Sequence, residues 1–200
     1  MAAEKNPRIR PGGAREIGLV NTAIVRLIAI SIGTGQAPNL FSTLARHRTL
    51  FRRWLRFAAA LMPGGRLPRQ DTELLILRVA HNNDCDYEWS HHKHLARQAG
   101  LTEQEIARVR SGPRSPGWSE RRAALLSAAD ELHNARRISD ELWGRLRAAL
   151  DEPQLIELCM LVGHYEMLAM TLNSLAVQPD LITDQRPTLA MRLLSARRGN

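Results

Sequence analysis

A chain of 200 residues with 44% hydrophobic and 24% charged content has the balance of a globular protein, which excludes a disordered or fibrous class. It is long enough for one sizeable core, or for two small lobes sharing one. Of its 28 basic residues only Lys5 and Lys93 are lysine, so the net charge of +8 rests on arginines scattered over helix faces rather than gathered in a block.

Apolar residues recur at helical spacing almost throughout, and no stretch alternates convincingly as a strand, so an all-α fold is predicted. The basic N-terminus MAAEKNPRIRPGGARE imitates the start of a signal peptide. The apolar run after it is interrupted by Asn21 and Arg26 and leads to no small-residue cleavage site, so it reads as an amphipathic helix with a stripe of Ile17, Val20, Ile24, Leu27 and Ile28. RHRTLFRRWLRF, residues 46–57, is the densest basic group. It carries no helix-turn-helix, zinc-finger or RNA-binding signature, so a solvated helix face or a subunit contact is the better reading than a nucleic-acid patch.

The helix containing that group ends at Pro63-Gly64-Gly65. TELLILRVAH, residues 72–81, reads as a largely buried helix that Asn82-Asn83-Asp84 interrupts, with Asn83 or Asp84 placed to cap the next helix and Gly100 placed to end it. Thr102 with Glu105 forms a capping box for a short helix. SGPRSPG, residues 111–117, is the clearest loop and the expected lobe boundary. Helices are predicted beyond it over 119–135, 139–150 and 153–175. The expected organisation is a single helical domain over residues 1–179 and a C-terminal arm over 180–200. ELLILRVAH and ELCMLVGH echo each other, which hints at two related helical halves. Two cysteines, Cys85 and Cys159, make no disulfide scaffold and point to a reducing cytoplasm.

The chemistry gathers in DCDYEWSHHKH, residues 84–94. Spacings of three and four residues put Cys85, Glu88 and His92 on one face of a helix, and Leu95 and Ala96 turn that face inward. The N-terminal turn favours a thiolate at Cys85, whereas Asp84, Asp86 and Glu88 oppose it. His91, Lys93 and His94 fall on other faces. A di-iron site needs a second Glu-x-x-His, which is missing, and three ligands on one short helix make a poor zinc tetrahedron, so no metal is expected. A dithiol centre needs Cys-x-x-Cys, and Glu88 stands where the second cysteine belongs. Single-thiol chemistry and acid–base chemistry by Glu88 and His92 remain.

ELLILRVAHNNDCDYEWSHHKHLARQAGLTEQEI, residues 73–106, resembles the carboxymuconolactone decarboxylase and alkylhydroperoxidase D-like family in the register of Tyr87, Glu88, Trp89, His92, Ala96, Gly100, Leu101 and Thr102. The resemblance implies an all-α protein that assembles as a trimer or hexamer. The family's hydroperoxidase branch uses Cys-x-x-Cys with an upstream glutamate and a downstream histidine as a proton relay. Glu73, Cys85 and His92 match that glutamate, the first cysteine and that histidine, and Glu88 departs from the second cysteine. The Tyr-Glu-Trp version is similar to the decarboxylase branch, which works on small lactone acids with no metal or organic cofactor. The leading expectation is an enzyme with His92 as acid/base, Glu88 its partner and Glu73 behind them. Cys85, Tyr87, Trp89 and His91 would line the pocket; Arg78 is a candidate for a substrate carboxylate, but a structural ion pair with an acid such as Glu73 is its better reading. The alternatives are a hydroperoxide reductase working through Cys85 and a non-catalytic protein that binds an acidic partner through residues 46–56.

Overall fold

A computed structural model of the chain describes residues 6–32 and 36–180. Among these residues it contains nine α-helices and no strand. They are α1 (Ala14–Ile32), α2 (Asn39–Leu44), α3 (Arg48–Leu61), α4 (Arg69–Asn82), α5 (Asp86–Gln98), α6 (Glu103–Ser111), α7 (Glu120–Ala135), α8 (Asp140–Arg147) and α9 (Glu152–Leu175). The chain divides into two compact units, one built from the part up to Arg56 and the part from Leu175 on, the other from Phe57–Ser174. The 111–117 loop lies inside the second unit. The expected arm begins in the first unit, and all but Asp180 of it lies outside the described residues.

In the first unit the buried face of α1 differs from the expected stripe. Gly18, at φ 79, breaks the helix and rotates the turns beyond it, so Ile17, Asn21, Val25 and Ala29 face inward. Val20 and Leu27 stand 62% and 66% exposed. The buried Asn21 is tolerated because its amide donates to the Ala45 carbonyl and accepts from Arg52. Arg48 donates to the Arg15 and Glu16 carbonyls. Arg46 pairs with Glu16 at 4.0 Å, so three arginines of the basic group are engaged with α1. Phe51 and Ala45 complete a core with Ile17 and Val25.

The second unit is organised around α4, which packs on α5, α6 and α7. Leu74, Leu75 and Leu77 are fully buried, as a helix with neighbours on several faces requires. Leu74 and Leu77 join Ala96, Leu101, Ile106, Val109 and Leu126 in one core, with Trp89 and Trp118 packed against it. The expected terminators are in place. Gly100 takes φ 95 after α5, and Thr102 and Glu105 form both bonds of the capping box of α6. Ser119 and Ser139 cap α7 and α8. The loop before α4 is held by Glu157 of α9, whose carboxylate accepts the Arg66 and Leu67 N–H groups at 2.5 and 3.1 Å.

The turn between α4 and α5 differs from expectation by one residue. Asn83 closes α4, and Asp84 adopts a left-handed φ of 47. Cys85 is then the first extended residue and becomes the N-cap of α5. Asn83 is fixed from two sides: its amide donates to Glu166, and its carbonyl accepts from Asn173.

Candidate active site

Glu73, Glu88 and His92 lie together in the interior of the second unit. Their relative exposures are 0%, 2% and 3%. Glu73 comes from the central helix α4, whereas Glu88 and His92 stand one turn apart on α5. His92 bridges the two helices: its Nδ1 is 2.7 Å from Glu73 Oε2, and its Nε2 is 3.2 Å from Glu88 Oε2. The outer oxygen of Glu73, Oε1, pairs with Arg69 Nη2 at 2.7 Å, one turn earlier on α4. The outer oxygen of Glu88, Oε1, is buried and accepts no hydrogen bond among the described residues.

The charge state follows from this geometry. Burial alone pulls the imidazole down, but the charge of Glu73, its hydrogen bond and the second carboxylate outweigh it and raise His92 to about 9. His92 is therefore an imidazolium at neutral pH that donates through both nitrogens. His91, its neighbour, goes the other way: burial and then the charges of His92, His94 and Arg69 lower it to about 3, so it stays neutral. The ring of Tyr165 on α9 stands edge-on to His92 at 5.2 Å. Its phenol is pushed well above its ordinary value by burial and by Glu88 and Glu73, so it keeps its proton.

Cys85 is 1% exposed at the α5 N-cap. Burial dominates and pushes its thiol up to about 12; the backbone N–H groups of Glu88 and Tyr87 pull the other way, and the Glu88 charge adds to the rise. The opposing influences recognised in the sequence are thus decided by desolvation, and the resting group is a thiol. Cys85 and Cys159 are both free cysteines.

The remaining candidates divide. Tyr87 is buried and stacks on His91, whose ring contacts His92 at 5.4 Å. Trp89 packs instead on the core of α4 and α6, beneath the Arg110 guanidinium at 4.2 Å, because one step along α5 turns it away from His92. Arg78 is locked by Asp130 at 2.6 and 2.9 Å and by the Val109 and Arg110 carbonyls, so it is a structural ion pair and has no side free for a ligand. Two residues of the site, Arg69 and Tyr165, were not foreseen from the sequence. Arg69 had a local signal, since it sits four residues before a buried glutamate in a helix. Tyr165 lies in a distant helix whose own spacing cannot show that it meets His92.

Residues 48–131 match the model of the carboxymuconolactone decarboxylase family. The uncharacterized protein YdfG of Bacillus subtilis is 34% identical over 97 residues, a match covering 48% of this chain and 66% of that protein. The AhpD core of an uncharacterized peroxidase-related protein from Ralstonia eutropha superposes with a TM-score of 0.76 at 17% identity, over 88% of this chain and 95% of the other. The debrominase Bmp8 superposes with a TM-score of 0.73 at 15% identity, over 94% and 96%. Its cysteine-to-alanine variant in complex with 2,3,4-tribromopyrrole superposes with 0.72 at 14%, over 96% and 97%. At these identities the structural likenesses establish a shared all-α fold.

Proposed function

Because the chain belongs through residues 48–131 to the carboxymuconolactone decarboxylase family and has the alkylhydroperoxidase D-like fold, we propose that it is an enzyme for cofactor-free acid–base chemistry on a small organic acid, by decarboxylation or lactone opening. The observation that carries this reading is a buried imidazole held between two carboxylates, one of which has an oxygen with no hydrogen-bond partner among the described residues. In decarboxylation the C–C bond to the departing CO2 leaves its electron pair on the substrate as an enolate. His92 is the proton store that quenches that carbanion, and Glu88 passes the proton between Nε2 and the substrate. Glu73 holds the imidazole by Nδ1 and stabilises its charged form. Tyr165 keeps the ring in place and its own hydroxyl neutral.

In this reading the enzyme assembles as a homo-oligomer, as the family resemblance implies, and works in the reducing cytoplasm to which its two unpaired cysteines point. Turnover of small lactone acids and β-keto acids by His92→Ala tests the chemistry. A loss of about two orders of magnitude or more is expected, and a variant as fast as the wild type on every accepted substrate would refute the assignment.

A second reading is favoured by the position of Cys85 at the N-cap of α5, where the backbone N–H groups of Glu88 and Tyr87 favour its thiolate. Here the thiol proton passes to the Glu73–His92 relay, and the thiolate attacks a hydroperoxide, releasing the alcohol and leaving a sulfenic acid. Two external thiols then restore the cysteine, with water and their own disulfide as products. The elevated thiol pKa weighs against it. Peroxide consumption by Cys85→Ser at the wild-type rate removes this reading, whereas trapping of a sulfenate on Cys85 during turnover supports it over the first.

A further inference from the structure

Three arginines on α4 and α7 are engaged on several sides. Arg78 is held by Asp130 and two carbonyls, Arg121 by Asp71 and the Ala149 carbonyl, and Arg122 by Glu105 and Gln70. Arg69 differs. Among the described residues its partner is Glu73 Oε1 alone, met by one terminal nitrogen, and its side chain is 36% exposed. A guanidinium carries five donors in a planar fork suited to carboxylates, and a single ion pair among the described residues leaves the rest of this fork for a ligand.

We propose that Arg69 is the residue that receives the substrate's carboxylate at the Glu73–His92–Glu88 site. The inference rests on the acid–base reading of that site and adds the group that recognises the substrate. Three features support it. Arg69 touches the carboxylate whose other oxygen is 2.7 Å from His92, so an anion on its outer edge lies beside the relay. Glu73 and Glu88 balance Arg69 and the charged His92, so the site as it stands is neutral and does not repel an incoming anion. Glu88 Oε1 and His91 Nδ1 are buried polar atoms that the described residues leave without hydrogen bonds, as a site awaiting a ligand's polar groups requires.

The test uses the full chain labelled with 15N-histidine. The probes are 4-oxopentanoate, a small keto acid, and its uncharged methyl ester, and the readout is the His92 ring resonance. A saturable shift is expected with the acid and not with the ester. Arg69→Gln weakens acid binding about tenfold or more, as loss of a charge-assisted pair requires. Arg69→Lys, which keeps the charge but not the fork, weakens it several-fold, and it carries the comparison if the glutamine variant does not fold. Equal binding of acid and ester, no saturable shift, or wild-type affinity in both variants overturns the proposal. Since the assay measures binding and not turnover, it fails independently of the His92→Ala experiment.

Discussion

His92 has been stripped of water, which by itself disfavours the imidazolium, yet two carboxylates at 2.7 and 3.2 Å more than restore it. A folded pKa of about 9 against an unfolded value of 6.5 means that the native state holds a proton the unfolded chain gives up between those values. Its stabilisation is complete below pH 6.5 and is lost as pH rises through about 9. The size is on the order of a few kcal/mol. His91 and His164, lowered to about 3 and 4, act in the other direction, since unfolding lets them take up protons below pH 6.5. Chemical denaturation across pH 5 to 9.5 should therefore show a maximum near pH 6.5, with an alkaline decline that is reduced in His92→Gln. An alkaline limb of equal steepness in that variant would mean that His92 is not the group responsible.

At the scale of elements, local chemistry proved a sound guide where a helix end is made by neighbours in sequence. The α6 capping box is complete, with Glu105 N–H donating to Thr102 Oγ1 and Thr102 N–H donating to Glu105. Thr102→Ala should cost about 1 kcal/mol, read as a lower denaturation midpoint, and Thr102→Ser should recover most of it. The pattern misled where one residue reset the geometry. Gly18 broke α1 and moved its buried face, and left-handed Asp84 delayed the start of α5 until Cys85 became the cap. Neither shift is visible in periodicity, because both depend on a single backbone angle.

For the whole molecule, α9 is the telling helix. It is long and apolar enough to cross a membrane by composition, but 56% of that apolar window is buried inside the protein, as in a core helix. Ile156, Met160, Met167 and Met170 are 46–67% exposed and recur at spacings of four, seven and three, so they form one apolar seam along the helix. Light scattering should give a mass that is a multiple of 22.5 kDa. Met160→Glu with Met167→Glu should lower it while leaving helicity intact. A wild-type monomer at micromolar concentration would contradict the proposed assembly.

The sequence alone settled the helical class, since a 3.6-residue apolar period has no other stable use here, and it placed Glu88 and His92 on one face, since their spacing is set within a single helix. It also marked Glu73, through the register of the family likeness. Only the tertiary structure decided that Arg69 rather than Arg78 meets Glu73, that Tyr165 closes over His92, that Trp89 turns away and that Cys85 rests as a thiol. Each of these depends on how far water is excluded and on which distant side chain fills the space. Those properties arise when helices pack, and no window along the chain contains them.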